Sequence, residues 1–116
     1  MTPAQRKKLD EASRINKPVW FKDKQTGQRI LWGTVAAEVF IIVGEEHDDP
    51  YKHIIQKIRP TRETWDGSEW FYRTGYYTFG GRNKERLVWG QYTQCLTERE
   101  YTSLLSRAKE KGWAIF

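Results

Sequence analysis

The stretch from Glu69 to Gly112 constrains the fold most. It reads EWFYRTGYYTF, then GGRNKE, then RLVWGQYTQC and, after Leu96, TEREYTSLLSRAKEK closed by Gly112. Two aromatic-rich runs separated by a glycine-containing loop form a hairpin pattern. The helix that follows is signalled at both ends. Thr97 and Glu100 make a capping box, with Leu96 and Tyr101 at the flanking staple positions. Tyr101, Leu104, Leu105 and Ala108 recur at the spacing of one buried stripe. Acidic residues open the helix and Arg107, Lys109 and Lys111 close it, matching the macrodipole. Gly112 supplies a left-handed stop that lets Trp113 fold back, and Trp113 to Phe116 is expected as a short extra strand.

Upstream, Thr2-Pro3-Ala4-Gln5 is a helix start. The helix it opens has a thin apolar side, Ala4, Leu9 and Ala12, beside the basic run Arg6-Lys7-Lys8. Residues 1–17 therefore read as a basic, loosely docked helical arm. Val19 to Lys22 is extended, and Asp23 to Gly27 is a turn. Ile30 to Val43 is a long strand with Leu31, Val35, Ala37, Val39, Ile41 and Val43 on one side at period two. Gly33 marks a bend or bulge in it. An acidic turn, GEEHDDP, leads to a strand from Lys52 to Arg59, which Pro60 ends. Glu69 to Phe79 and Arg86 to Gln94 complete the set. Strands in a run, with helices kept outside it, define an α+β class. The expected architecture is a curved antiparallel meander of about five strands, with the C-terminal helix packed on one face and a short N-terminal helix. In arrangement this is similar to the single-stranded-DNA-binding transcriptional coactivator and the whirly-type proteins, with no motif of theirs shared.

At 116 residues the chain reads as a single domain that buries about two-thirds of its unfolded surface. One cysteine, Cys95, excludes an internal disulfide and fits a reducing compartment. Neither a secretory signal nor a run of about 20 apolar residues is present, so no membrane association and a cytoplasmic location are expected. The net charge is +5 but unevenly spread. Residues 1–29 hold eight basic and three acidic side chains, residues 30–51 none and five, residues 52–116 twelve and seven. Clustered cations of this kind draw polyanions.

No catalytic signature survives inspection, and the expectation is a non-enzyme without a cofactor. The turn from Glu45 to Asp49 lacks the ligand alternation and glycine of a calcium loop. Glu38, Asp49 and Lys57 match no nuclease spacing. Gly75-Tyr76-Tyr77 lacks the second half of a GIY-YIG motif, and the 73–79 run departs from the RNA-recognition strand at two positions. Cys95 reads as a buried small apolar residue.

What remains is the sheet. With Leu31, Val35, Val39, Ile54, Ile58, Phe71, Tyr77, Phe79, Leu87, Trp89 and Cys95 beneath the C-terminal helix, alternation sends the aromatic and cationic residues to the other face. The candidate nucleic-acid-binding set is Trp32, Lys57, Arg59, Trp70, Tyr72, Arg73, Tyr76, Arg82, Lys84, Arg86 and Tyr92. Rings that stack on bases among cations that neutralise phosphates bind single strands. The alternative is a protein-interaction or homodimerisation module with tryptophan hot spots. Under that reading both faces are covered, one by the helix and the other by the N-terminal arm or a second subunit.

Overall fold

The computed structural model describes residues 1–64, 66–82, 85–90 and 95–113. Helix α1 (Pro3–Glu11) begins as its sequence demands: Gln5 N donates to Thr2 Oγ1 and Thr2 N donates to Gln5 Oε1, completing the capping box. The helix is firmly docked, which corrects the expectation of a loose arm. Leu9 is fully buried and Ala12 nearly so. Its last turn, where carbonyls lack intrahelical partners, is satisfied by a side chain from elsewhere. Buried Lys52 donates from Nζ to Asp10 O at 2.8 Å and Ala12 O at 2.6 Å, and lies 4.2 Å from the Phe40 ring centroid. A positive charge at a helix C-terminus is also favoured by the dipole.

Five strands follow in chain order: β1 (Pro18–Lys22), β2 (Arg29–Val43), β3 (Tyr51–Pro60), β4 (Phe71–Gly80) and β5 (Arg86–Gly90). They form one antiparallel meander with neighbours β1-β2-β3-β4-β5. Helix α2 (Glu98–Glu110) comes last, capped by Thr97 and Glu100 as the sequence predicts. Gly112 ends it at φ 76°, and Trp113 N donates back to Ala108 O. Leu104 and Ala108 are buried and Leu105 partly so, whereas Tyr101, expected in the same stripe, is exposed. The expected extension of β5 over 91–94 and the terminal strand over 114–116 lie outside the described residues. Among those residues, no helix is long and apolar enough to cross a membrane.

Tertiary contacts divide the chain into two units. The first comprises Met1–Ala12, Val39–Ile55 and the described residues of Thr74–Phe116. Its core joins Leu9 of α1 and the C-cap residue Ala12 to Ile54, Tyr77 and Phe79, with Phe40, Ile42, Leu87 and Trp89 packed around them. The sheet side carrying Ile54, Tyr77, Phe79, Leu87 and Trp89 is therefore covered by α1, not by the C-terminal helix as expected. Helix α2 meets the opposite side. Glu100 shares a cavity with Tyr51, His53 and Tyr76, which alternate with Lys52, Ile54 and Tyr77. Cys95 is exposed there, a correction to its reading as a buried residue.

The second unit comprises Ser13–Glu38 and Gln56–Arg73 and contains no helix among its described residues. Val19, Val35 and Ile58 form its core, with Phe71 against them. A polar chain lies beside it. Glu38 accepts from Ser13 Oγ and from Gln56 Nε2, both at 2.7 Å, and Gln56 Oε1 accepts from Arg73 Nε. Gln56 is fully buried, so each of these bonds counters a desolvation cost.

Candidate functional site

Two irregularities in β2 decide which side chains share a side in the second unit. Between β1 and β2 the register runs Val19↔Gly33 and then Trp20↔Leu31, so Trp32 has no opposite residue. Gly33 is expected to mark a bend or a bulge; the register shift beside it is of the bulge kind, and a bulge re-aims the extra side chain. Trp32 stacks on Phe71, with centroids 4.6 Å apart and planes at 12°, and meets Phe21 edge-on at 5.2 Å. Phe71 belongs to the Val19–Val35–Ile58 side. Trp32 is thus separated from the face on which alternation alone places it.

The second irregularity follows Val35. Val35 packs with Ile58, and Glu38 bonds to Gln56. Gln56 and Ile58 are two apart and share a side. Val35 and Glu38 are three apart, a spacing a regular pleat sends to opposite sides. The single unbroken face from Leu31 to Val43 therefore does not exist. The intervening Ala36 and Ala37 are both partly buried.

The opposite side of this unit is where aromatic and cationic residues meet. Trp20 alternates with Val19 and Phe21, and its register partner Leu31 shares its side, as do Lys22 and Arg29, which pair with each other. The Arg29 guanidinium carbon stands 4.8 Å from the Trp20 ring centroid. Lys57 and Arg59 alternate with Gln56 and Ile58. Both lie over Trp70, with Lys57 Nζ at 4.3 Å and Arg59 Cζ at 5.5 Å from the centroid. Such contacts gain about 0.5–1 kcal/mol at exposed sites. Among the described residues none of Lys22, Arg29, Lys57 or Arg59 forms a salt bridge. The unit holds nine basic and five acidic side chains, a net +4 of the chain's +5.

Of the eleven sequence-designated residues, Lys57, Arg59 and Trp70 are brought together. Tyr72 follows by alternation, and partial burial raises its phenol pKa above the ordinary value. Trp32 lies on the other side, for the reason given. Arg73 also faces the other way, bonded to Gln56, so it is not the edge cation expected. Tyr76 belongs to the first unit, where it packs against Tyr51 and His53. Arg82 and Arg86 are exposed in that unit too. Lys84 and Tyr92 lie outside the described residues.

Trp20, Lys22 and Arg29 were missed by the sequence reading. Their signal was present: Trp20 and Lys22 alternate in a short strand, and a turn carries the chain back to Arg29. Five residues were too few to set that strand's facing. In comparisons with known proteins, no family model, curated protein or solved structure matches the chain.

Proposed function

We propose that the chain is a non-enzymatic nucleic-acid-binding domain that takes single strands on the Trp20–Trp70 side of the second unit. One observation carries the reading: two tryptophans, each with a cation over its ring, lie on one side of the unit that holds most of the net charge. Trp20 is 42% exposed. A base stacks on an accessible indole for about 1–3 kcal/mol, and any base suffices because each has a π-face. The guanidinium and ammonium groups beside the rings neutralise the adjoining phosphates. A duplex hides its base faces within its own stack, so this chemistry favours single strands.

Titration of the intrinsic tryptophan fluorescence with oligothymidylate tests the reading. Quenching is expected at low salt. If Lys22, Arg29, Lys57 and Arg59 all neutralise phosphates, log K should fall against log salt with a slope of roughly −3. Unchanged fluorescence at low salt, or quenching indifferent to salt, would sink the proposal.

A second reading rests on a different patch. Trp32 at 38% and Phe21 at 41% exposure present an apolar surface stacked on Phe71. Exposed aromatic anchors of this kind serve as hot spots for a protein partner or a second copy. Light scattering that gives a salt-insensitive dimer, dispersed by Trp32→Ala, would favour it.

A further inference from the structure

The first unit holds a cavity of about 490 Å³, within the range of small-molecule sites. Its aromatic wall is built from two strands. Tyr51 and His53 of β3 stand with rings nearly parallel at 5.8 Å. Tyr76 of β4 inclines to them at 62° and 58°, with centroids 5.6 and 6.2 Å away. Tyr76 is set by its cross-strand partner Gly90. A Cβ on Gly90 would collide with the Tyr76 ring, so only glycine there lets the ring lie in this position.

The charge facing these rings is negative. Glu46, Asp49 and Glu100 line the same cavity, and no lysine or arginine does so among the described residues. Glu100 is held in place, because its Oε1 accepts from Thr97 N at the start of α2. We infer that this cavity binds a small organic cation of the alkylammonium class.

Ring faces attract a desolvated cation through their quadrupoles, and carboxylates at the rim supply its counter-charge. His53 fits that role as an uncharged wall. It is 4% exposed, and burial lowers its pKa below the ordinary imidazole value. A hard metal ion fits less well, since no three His, Cys, Asp or Glu groups converge on one point among the described residues.

The test is a titration of the isotope-labelled chain with choline, followed by amide chemical shifts. 3,3-Dimethylbutan-1-ol, the neutral analogue of the same shape, is the parallel ligand. Choline should give saturable shifts centred on Tyr51, His53, Tyr76 and Glu100, with a Kd on the order of 1 mM or tighter. The alcohol should give none. Tyr76→Ala should weaken choline binding about fivefold or more. Should that variant fail to fold, Glu46→Gln with Asp49→Asn alters only exposed turn residues and should weaken binding in the same direction. Equal binding of the alcohol, shifts that never saturate, or full affinity in the turn variant would each overturn the inference. Oligonucleotide binding does not enter this experiment, so the two proposals stand or fall apart.

Discussion

Strand β3 passes through both units and behaves differently in each. In the first unit His53 and Ile55 are buried on one side while Lys52 and Ile54 are buried on the other. In the second, Gln56 and Ile58 remain buried, but Lys57 is only partly so and Arg59 is exposed. The alternation is the same throughout. What changes is the company, because both helices belong to the first unit. There α1 occupies one side of the sheet and α2 meets the other. A strand's polar face is therefore decided less by its own pattern than by whether a helix is available to cover it. The first unit, covered on both sides, encloses an acidic cavity; the second keeps a basic aromatic surface in water.

The largest effect that could break this comparison comes from α1. Leu9→Ala removes a fully buried side chain from the Ile54–Tyr77–Phe79 cluster. A loss of about 2–5 kcal/mol is expected, read as a lower urea midpoint. A change below about 0.5 kcal/mol would mean that α1 does not cover the sheet. Trp20→Ala, on the uncovered surface, should cost no more than about 1 kcal/mol, the worth of its exposed cation–π contact.

Next in size is the polar chain of the second unit. Glu38→Ala strips the acceptor from Gln56 Nε2 and Ser13 Oγ and leaves a buried amide unpaired. The expected cost is about 1–3 kcal/mol. Glu38→Gln, which keeps a carbonyl acceptor, should cost less. Equal and negligible costs for both would show that Gln56 finds other partners and that the irregularity after Val35 is not held by this contact.

How far the fold was legible depended on the range of the interactions involved. The α2 boundaries were readable because Thr97, Glu100 and Gly112 act on backbone groups within a few residues. The strand sequence was readable for the same reason. The facing of the sheet was not. An extra residue at Trp32 and the three-residue step from Val35 to Glu38 each reverse parity, and neither is visible in a period-two count. Leu9 gave no warning either, since one leucine on a basic helix is buried only by virtue of Ile54, Tyr77 and Phe79 far along the chain. The candidate surface was accordingly half legible: Lys57, Arg59 and Trp70 were found, Trp32 was misplaced, and Trp20 with Arg29 was passed over.

Binding experiments sharpen the comparison at intermediate size. Trp70→Ala should reduce oligonucleotide affinity by about 1–3 kcal/mol, whereas Tyr76→Ala, in the first unit, should leave it nearly unchanged. Arg59→Ala should reduce the magnitude of the salt slope by about 0.7. Equal losses at Trp70 and Tyr76, measured by the same fluorescence titration, would abolish the distinction between the surfaces.

The smallest effect concerns His53 and pH. Burial lowers its folded-state pKa below the unfolded value of 6.5, while Glu100 opposes that shift more weakly. A lowered folded pKa means that, between the two values, the unfolded chain binds more protons than the folded one. Stability then rises with pH through that window. The contribution from neutral His53 is present in full above pH 6.5, is lost as pH falls toward the folded pKa, and changes no further below it. Urea midpoints of the wild type and His53→Gln, compared across this range, separate the effect of His53 from that of the carboxylates that titrate lower. The wild type should lose stability on acidification through the window and the variant should lose less. Parallel curves would mean that His53 is as well solvated when folded as when unfolded, and the contrast between a covered and an uncovered stretch of β3 would then have to rest on Ile55 alone.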